Sequence, residues 1–158
     1  MRSLGRRAGS RTARLALDGT DEEVGRVEAR AWLDVSSKVA ASGLPRETLE
    51  VLVATHGRAY GRVLDLAGKI PGGAERLCPE NPEIVAQLHL AVQDEFAVSL
   101  QDVLLRRTGI GTSPCQGLDC AEAIGRRMAQ LSGWSPRRLT AELDAYHAHV
   151  ARSRRFRE

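Results

Sequence analysis

The stretch Ala91–Gly111, AVQDEFAVSLQDVLLRRTGIG, places acids, two adjacent arginines and a glycine pair within one short segment. Its second half, LQDVLLRRTGIG, poses a choice between a phosphate cradle and the end of a helix. A cradle sets its glycines between a strand and a helix, so that helix N-terminal amides face the anion. Here the glycines follow an apolar helical register, Leu100, Val103 and Leu104. A helix C-terminus presents carbonyls and a partial negative charge, the wrong sign for phosphate. The helix reading also uses more of the residues. Ser99 is a good N-cap, and Asp102 at the third helical position completes a capping box. Asp102 and Arg106 are four apart with the acid first. Arg106 and Arg107 fall in the last turn, where cations complement the dipole, and Gly109 is expected in a left-handed cap.

The same periodicity extends in both directions. Upstream, EIVAQLHLAVQDEFA puts Ile84, Leu88, Ala91, Val92 and Glu95 in one helical register. The loop LCPENP and the turn IPGG separate it from two short helices, RAYGRVLDLAGK and RETLEVLVATHG, the latter stopped by Gly57. Pro45 suits the start of a helical turn. Further back, Thr20 and Glu23 read as another helix start, with Val24, Val27, Ala31, Val35 and Val39 near one face as far as Gly43. Downstream, DCAEAIGRRMAQLSG carries Cys120, Ile124, Met128 and Leu131. The last helix has Ser135 as cap, Pro136 at its first position, and the stripe Leu139, Leu143, Tyr146 and Val150. No alternating strand pattern occurs. The fold class is all-α: a compact bundle of about six or seven short helices with no β-sheet.

Composition narrows the function. The 158 residues suffice for one domain with a core, and 42% hydrophobic with 27% charged residues fits a water-soluble globular protein. No apolar run reaches the ~18 residues that span a bilayer. The net charge of +3 is unevenly spread: without residues 1–14 and 152–158, 14 basic and 19 acidic residues remain. The basicity therefore belongs to the ends, where it could meet an anionic surface. Of the 23 basic residues 21 are arginine, and a single aromatic, Phe156, stands among the terminal ones, too sparse a pattern for stacking successive bases, which weighs against nucleic-acid binding.

Residue by residue, no catalytic, cofactor-binding or metal site emerges. Three cysteines, Cys78, Cys115 and Cys120, form no dense framework; they read as reduced thiols, without further metal ligands at matching spacing. His147 and His149 are two apart on a helix and face different ways. His56 reads as decorating a helix end, and His89 as a half-buried packing residue. No dinucleotide fingerprint follows a strand, so a flavin or nicotinamide would have to sit elsewhere.

The central stretch nevertheless resembles a known family: the C-terminal helical domain of FAD-dependent glycerol-3-phosphate dehydrogenases and alpha-glycerophosphate oxidases. The family pattern A-V-x-x-E-x-A-x-[ST]-L-x-D-V-L-x-R-R-T is met by Ala91, Val92, Glu95, Ala97, Ser99, Leu100, Asp102, Val103, Leu104, Arg106, Arg107 and Thr108. GLPRETLEVLVATHG and GWSPRRLTAELDAY are similar to its flanks, the latter through Gly133, Trp134, Glu142 and Tyr146, and RTARLALDG is similar to the segment that joins the flavin domain. The resemblance covers residues 11–149. Four positions depart from it. Gln87 stands where Glu is usual, Gln93 and Val98 where Arg is usual, and His56 where Tyr is usual.

The resemblance implies a helical domain over residues 20–151, a basic tail or linker over 1–19 and a basic tail over 152–158. It implies a link to oxidation of glycerol 3-phosphate to dihydroxyacetone phosphate. FAD belongs to the full-length family, on domains that precede this one, so the chain alone is expected to be non-catalytic. Glu95, Ser99, Asp102, Arg106, Arg107, Thr108, Gly133 and Trp134 are then structural or interface residues. The expected partner is a separately encoded FAD domain or a second copy of the chain, in the cytoplasm, with peripheral membrane contact through the basic tails as a further option. The alternative is a regulatory or nucleic-acid-binding module using those tails, or a helical homo-oligomer.

Overall fold

A computed structural model describes residues 42–155. The expected helix from Thr20 lies outside the described residues apart from its end, where Ser42 is helical and Gly43 takes φ +66°. The flanking segments 1–19 and 156–158 also lie outside. Six α-helices follow: α1 (Arg46–His56), α2 (Tyr60–Lys69), α3 (Val85–Gln93), α4 (Leu100–Asp102), α5 (Ala121–Ser132) and α6 (Pro136–Ser153). Short 3₁₀ turns occupy Gly57–Ala59 and Ile110–Thr112, and a π-helical turn, Val103–Arg107, continues α4. The described residues hold no sheet, only one antiparallel bridge between Arg76 and Ile84. None of their helices is long and apolar enough to cross a membrane.

Helix α3, VAQLHLAVQ, organises the rest. It carries no charged residue and is apolar on nearly every side, the pattern of a core helix. One side packs with α1 and α2 through Ile84, Ala86 and Leu90, against Leu49, Leu52 and Val63. The other side contributes Val85, Leu88 and Ala91 to a second cluster with Leu100, Val103, Leu104, Ile110, Ile124, Met128 and Tyr146. The helix is thus a shared wall between two cores.

Local signals set most boundaries. Gly57 stops α1 at φ +50°, where a side chain would be strained, and Gly133 ends α5 in the left-handed conformation. Ser135 Oγ accepts the Arg138 N–H at 3.3 Å, with Pro136 at the first position of α6. Tyr146 and Val150 are buried along α6, with Leu143 half-buried beside them. Gly125 lets α6 approach: a Cβ there would lie 3.0 Å from Leu139 Cδ1.

Two boundaries differ from expectation. Helix α3 stops at Gln93, so Glu95 is not on its face but in the turn that follows. The α-helix expected through Arg107 changes at Val103 into a π turn. There the Thr108 hydroxyl donates to the Val103 carbonyl at 2.9 Å, a side-chain bond that braces the wider turn.

Candidate functional site

The family-pattern residues fold into one continuous brace around the start of α4. Ser99 Oγ accepts the Asp102 N–H at 3.2 Å, and Asp102 Oδ2 accepts the Ser99 N–H at 2.9 Å, the expected reciprocal capping box. The same carboxylate oxygen accepts the Ser99 hydroxyl at 2.8 Å and the Val98 N–H at 3.2 Å. Arg106 pairs with Oδ1, the acid-first contact anticipated from their spacing. Burial acts to raise the Asp102 pKa, but these hydrogen bonds outweigh it and hold the carboxyl below its ordinary value. A further tie comes from α6, where Glu142 Oε2 accepts the Leu100 N–H at 2.9 Å.

Arg107 turns back across the chain. Its Nη2 donates to the Glu95 carbonyl at 2.8 Å, and its Nε lies 3.3 Å from Glu95 Oε2. Glu95 also stands 4.0 Å from His56 Nδ1 at the end of α1. The carboxylate thus meets side chains from α1 and from the π turn. Thr108 is buried, Gly133 ends its helix, and Trp134 packs half-buried on the core with Arg138 4.8 Å above its ring. All eight singled-out residues are engaged within the domain.

Gly109 behaves otherwise than expected. It is not a left-handed cap; its φ is −81°. Its N–H donates to Glu83 Oε1 at 2.7 Å, and an added Cβ would sit 2.9 Å from that same oxygen. A partner 26 residues upstream in the chain, rather than backbone conformation, sets this glycine. Gly111 is similarly explained by close approach, since a Cβ there would lie 2.6 Å from the Leu104 carbonyl oxygen. Neither glycine forms an anion cradle.

The four departures from the family pattern divide in two. Gln87 is buried, the His56 side chain is 6% exposed, and the two touch: Gln87 Nε2 and His56 Nε2 are 3.3 Å apart, while Gln87 Oε1 accepts the Ile84 N–H at 3.0 Å. These are paired interior changes rather than surface changes, and His56 is packed in rather than decorating a helix end. Burial lowers the His56 pKa below 6.5, with Glu95 pulling the other way. His89 is half-buried, as expected. Gln93 and Val98 are exposed, Val98 at 64%.

Beside Val98 lies the most unusual surface feature. Phe96 is 86% exposed and its backbone sits at φ +57°, a region that a bulky side chain rarely adopts. The turn is held in place by the Ala97 N–H donating to the Ala91 carbonyl at 2.9 Å. Arg138 caps its far side, donating to the Val98 carbonyl at 2.9 Å. Sequence reading passed over Phe96 because exposure and backbone angle have no local signature there.

The cysteines also hold a surprise. Linear spacing kept them apart, but Cys78, Cys115 and Cys120 converge with Asp119, and Cys78 Sγ lies 3.9 Å from Cys115 Sγ.

Comparisons with known proteins agree with the central stretch. Residues 10–139 match the family described as the C-terminal domain of alpha-glycerophosphate oxidase. A glycerol-3-phosphate dehydrogenase of Synechocystis is 30% identical over 108 residues, covering 68% of this chain and 20% of that protein. One from Mycobacterium leprae is 26% identical over 156 residues, covering 86% of this chain and 27% of its own length. The chain therefore spans only about a fifth to a quarter of the relatives it matches. No solved structure matches.

Proposed function

The chain belongs to the family of the C-terminal domain of alpha-glycerophosphate oxidase, and we propose that it serves as a non-catalytic helical appendage to a FAD-dependent glycerol-3-phosphate dehydrogenase. In this reading residues 20–151 are the appendage, and the basic segments 1–19 and 152–158 are connectors or contacts to an anionic membrane surface from the cytoplasmic side. Oxidation of glycerol 3-phosphate to dihydroxyacetone phosphate takes place on a flavin domain, and this domain docks against it.

The observation that carries the reading is the fate of the family motif. Ser99, Asp102, Arg106 and Thr108 satisfy one another or the neighbouring backbone, and Arg107 is spent on Glu95, through its carbonyl and its carboxylate. The motif therefore builds a rigid corner rather than a place for substrate. What that corner presents outward is the Phe96–Val98 turn. An exposed aromatic there costs solvation, and its positive φ costs about 1–2 kcal/mol beyond that. Two local costs at one residue are the mark of a docking anchor, because buried aromatics dominate interface energetics.

Purified chain is expected to be colourless and to show no glycerol-3-phosphate oxidation by dye reduction. Adding a flavin domain that lacks its own helical C-terminus should form a complex on gel filtration and raise turnover. Stoichiometric flavin bound to the chain alone would overturn the reading.

A further inference from the structure

We propose that Cys78, Cys115, Asp119 and Cys120 form a binding site for one thiolate-preferring divalent cation, zinc in the first instance, which ties the loop after α2 to the start of α5. This goes beyond the appendage reading and stands independently of it.

The four residues come from three places in the chain. Cys78 lies in the loop between α2 and α3. Cys115 lies in the turn after the Ile110–Thr112 3₁₀ segment, and Asp119 and Cys120 immediately precede α5. The ligand atoms of Cys78, Asp119 and Cys120 all lie within 4.8 Å of one another. Cys115 lies outside that close trio but reaches it at one edge, 3.9 Å from Cys78 Sγ, so a rotation of its side chain completes the set; Cys78 Sγ is 3.5 Å from Asp119 Oδ1.

Two of these separations, Cys78–Cys115 and Cys78–Asp119, have the values of a tetrahedral centre. Zinc–sulfur bonds of about 2.3 Å and zinc–oxygen bonds of about 2.0 Å place neighbouring sulfurs about 3.8 Å apart and a sulfur about 3.5 Å from an oxygen. A disulfide between Cys78 and Cys115 would instead require about 2.0 Å between the sulfurs.

The surroundings supply hydrogen-bond donors to sulfur, as a metal–thiolate site requires. Asn81, itself buried, donates from Nδ2 to Cys78 Sγ at 3.1 Å and to Cys115 Sγ at 3.4 Å. The Gly117 N–H donates to Cys115 Sγ at 3.3 Å. That last bond depends on a turn in which Gln116 and Gly117 both take positive φ, 48° and 67°. A non-glycine residue held there needs support, and Tyr146 gives it by donating to the Gln116 carbonyl at 2.7 Å. Donors of this kind offset the charge of clustered thiolates and orient the ligands. Three sulfurs and one carboxylate favour zinc over magnesium or calcium, which take oxygen sets.

Exposure is graded in the direction a site needs. Cys78 and Cys120 are buried, Cys115 is half-buried and Asp119 is exposed. A cation can therefore enter past Asp119 and finish on sulfur. On binding, each thiol passes its proton to solvent as the metal–sulfur bond forms.

The test uses the full chain, reduced under anaerobic conditions and stripped with chelator. Titration with cobalt(II) alone should give one equivalent per chain, with thiolate-to-metal charge-transfer absorption and the visible bands of a tetrahedral ion. Zinc should displace it and shield the thiols from a colorimetric reagent. Cys78→Ser and Cys120→Ser should each weaken zinc binding by about a hundredfold or more, since even outer partners of a metal site are worth about 10–100-fold. If these buried substitutions prevent folding, Cys115→Ser and Asp119→Asn at the more accessible positions make the same test by reduced affinity. The proposal is overturned if the folded, reduced chain offers three reactive thiols yet gives no charge-transfer band. It is equally overturned if affinity is unchanged in the folded variants, or if protein kept from air carries a Cys78–Cys115 disulfide.

Discussion

The two cores on either side of α3 are built by different means. On the α1–α2 side, Leu49, Leu52, Val63, Ile84 and Leu90 pack as aliphatic surface, and the ion pairs lie outside it, Arg46 with Glu50 and Arg62 with Asp94. On the α4–α6 side the apolar residues are laced with polar ties that reach inward. Asp102 caps a helix, Glu142 holds the Leu100 amide, Tyr146 donates to a backbone carbonyl, and Asn81 sits between sulfurs. The first side is held mainly by area, with one inward polar tie, His56 to Gln87, whose Oε1 also accepts the Ile84 N–H. The second is held by area and by geometry, and every family-motif residue from Ser99 onward belongs to it. The docking surface proposed above calls for the second kind of construction.

The largest expected effect tests whether the cores are one unit. Leu88 and Leu90 lie on the same helix but face different cores. Replacing either with Ala should cost about 3 kcal/mol through lost burial and a residual cavity. Because α3 is shared, Leu88→Ala should lower hydrogen-exchange protection in α1 as well as in α6. Protection lost on one side only would break the picture of a common wall.

Next in size is the contrast between inward and outward polar ties. Asp102→Ala strips acceptors from the Ser99 and Val98 amides and should cost about 2 kcal/mol in denaturant unfolding. Glu50→Ala removes an exposed pair in α1 whose partners are 2.9 Å apart, and should cost less than about 0.5 kcal/mol. Equal losses would erase the distinction. Arg107→Ala should fall between them, at about 1–2 kcal/mol, because it loses the Glu95 carbonyl contact but is half exposed.

Acid titration separates the regions more gently. The folded His56 pKa lies below its unfolded value of 6.5, so the neutral ring is the one that fits. Its contribution is full above pH 6.5 and declines as pH falls below it, because the unfolded chain takes the proton first. His89, lowered by burial and by Arg127, acts in the same direction. Asp102, lowered from 3.8, contributes stability that is present above that value and lost as pH falls through its folded pKa. Chemical denaturation across pH should therefore show two declines. His56→Tyr should reduce the upper one to the His89 share and leave the lower one, whereas Asp102→Asn should reduce the lower one and leave the upper.

How much was visible in the sequence follows the distance between partners. The Ser99–Asp102 box, the Asp102–Arg106 pair, the Ser135–Pro136 start and the Gly57 stop all involve residues within four positions, and the residue types alone announce them. Gly109 looked like another stop because its true partner, Glu83, comes from a different loop. Gln87 and His56 looked like two unconnected departures from the family pattern, because they are 31 positions apart, yet they are in contact. The cysteines fall in the same class, with 37 positions between Cys78 and Cys115. The π turn escaped notice because a 3.6-residue period tolerates one wider turn, here braced by the Thr108 hydroxyl on the Val103 carbonyl. Phe96 escaped because nothing in QDEFAV announces a positive φ.

That residue gives the most direct measurement. Sedimentation velocity of the chain mixed with a glycerol-3-phosphate dehydrogenase flavin domain lacking its helical C-terminus should show a one-to-one complex. Phe96→Gly should abolish it while raising the chain's own stability by about 1 kcal/mol, as the strained turn relaxes. A complex formed equally well by the Phe96→Gly chain, or no complex with the unaltered chain, would contradict the account.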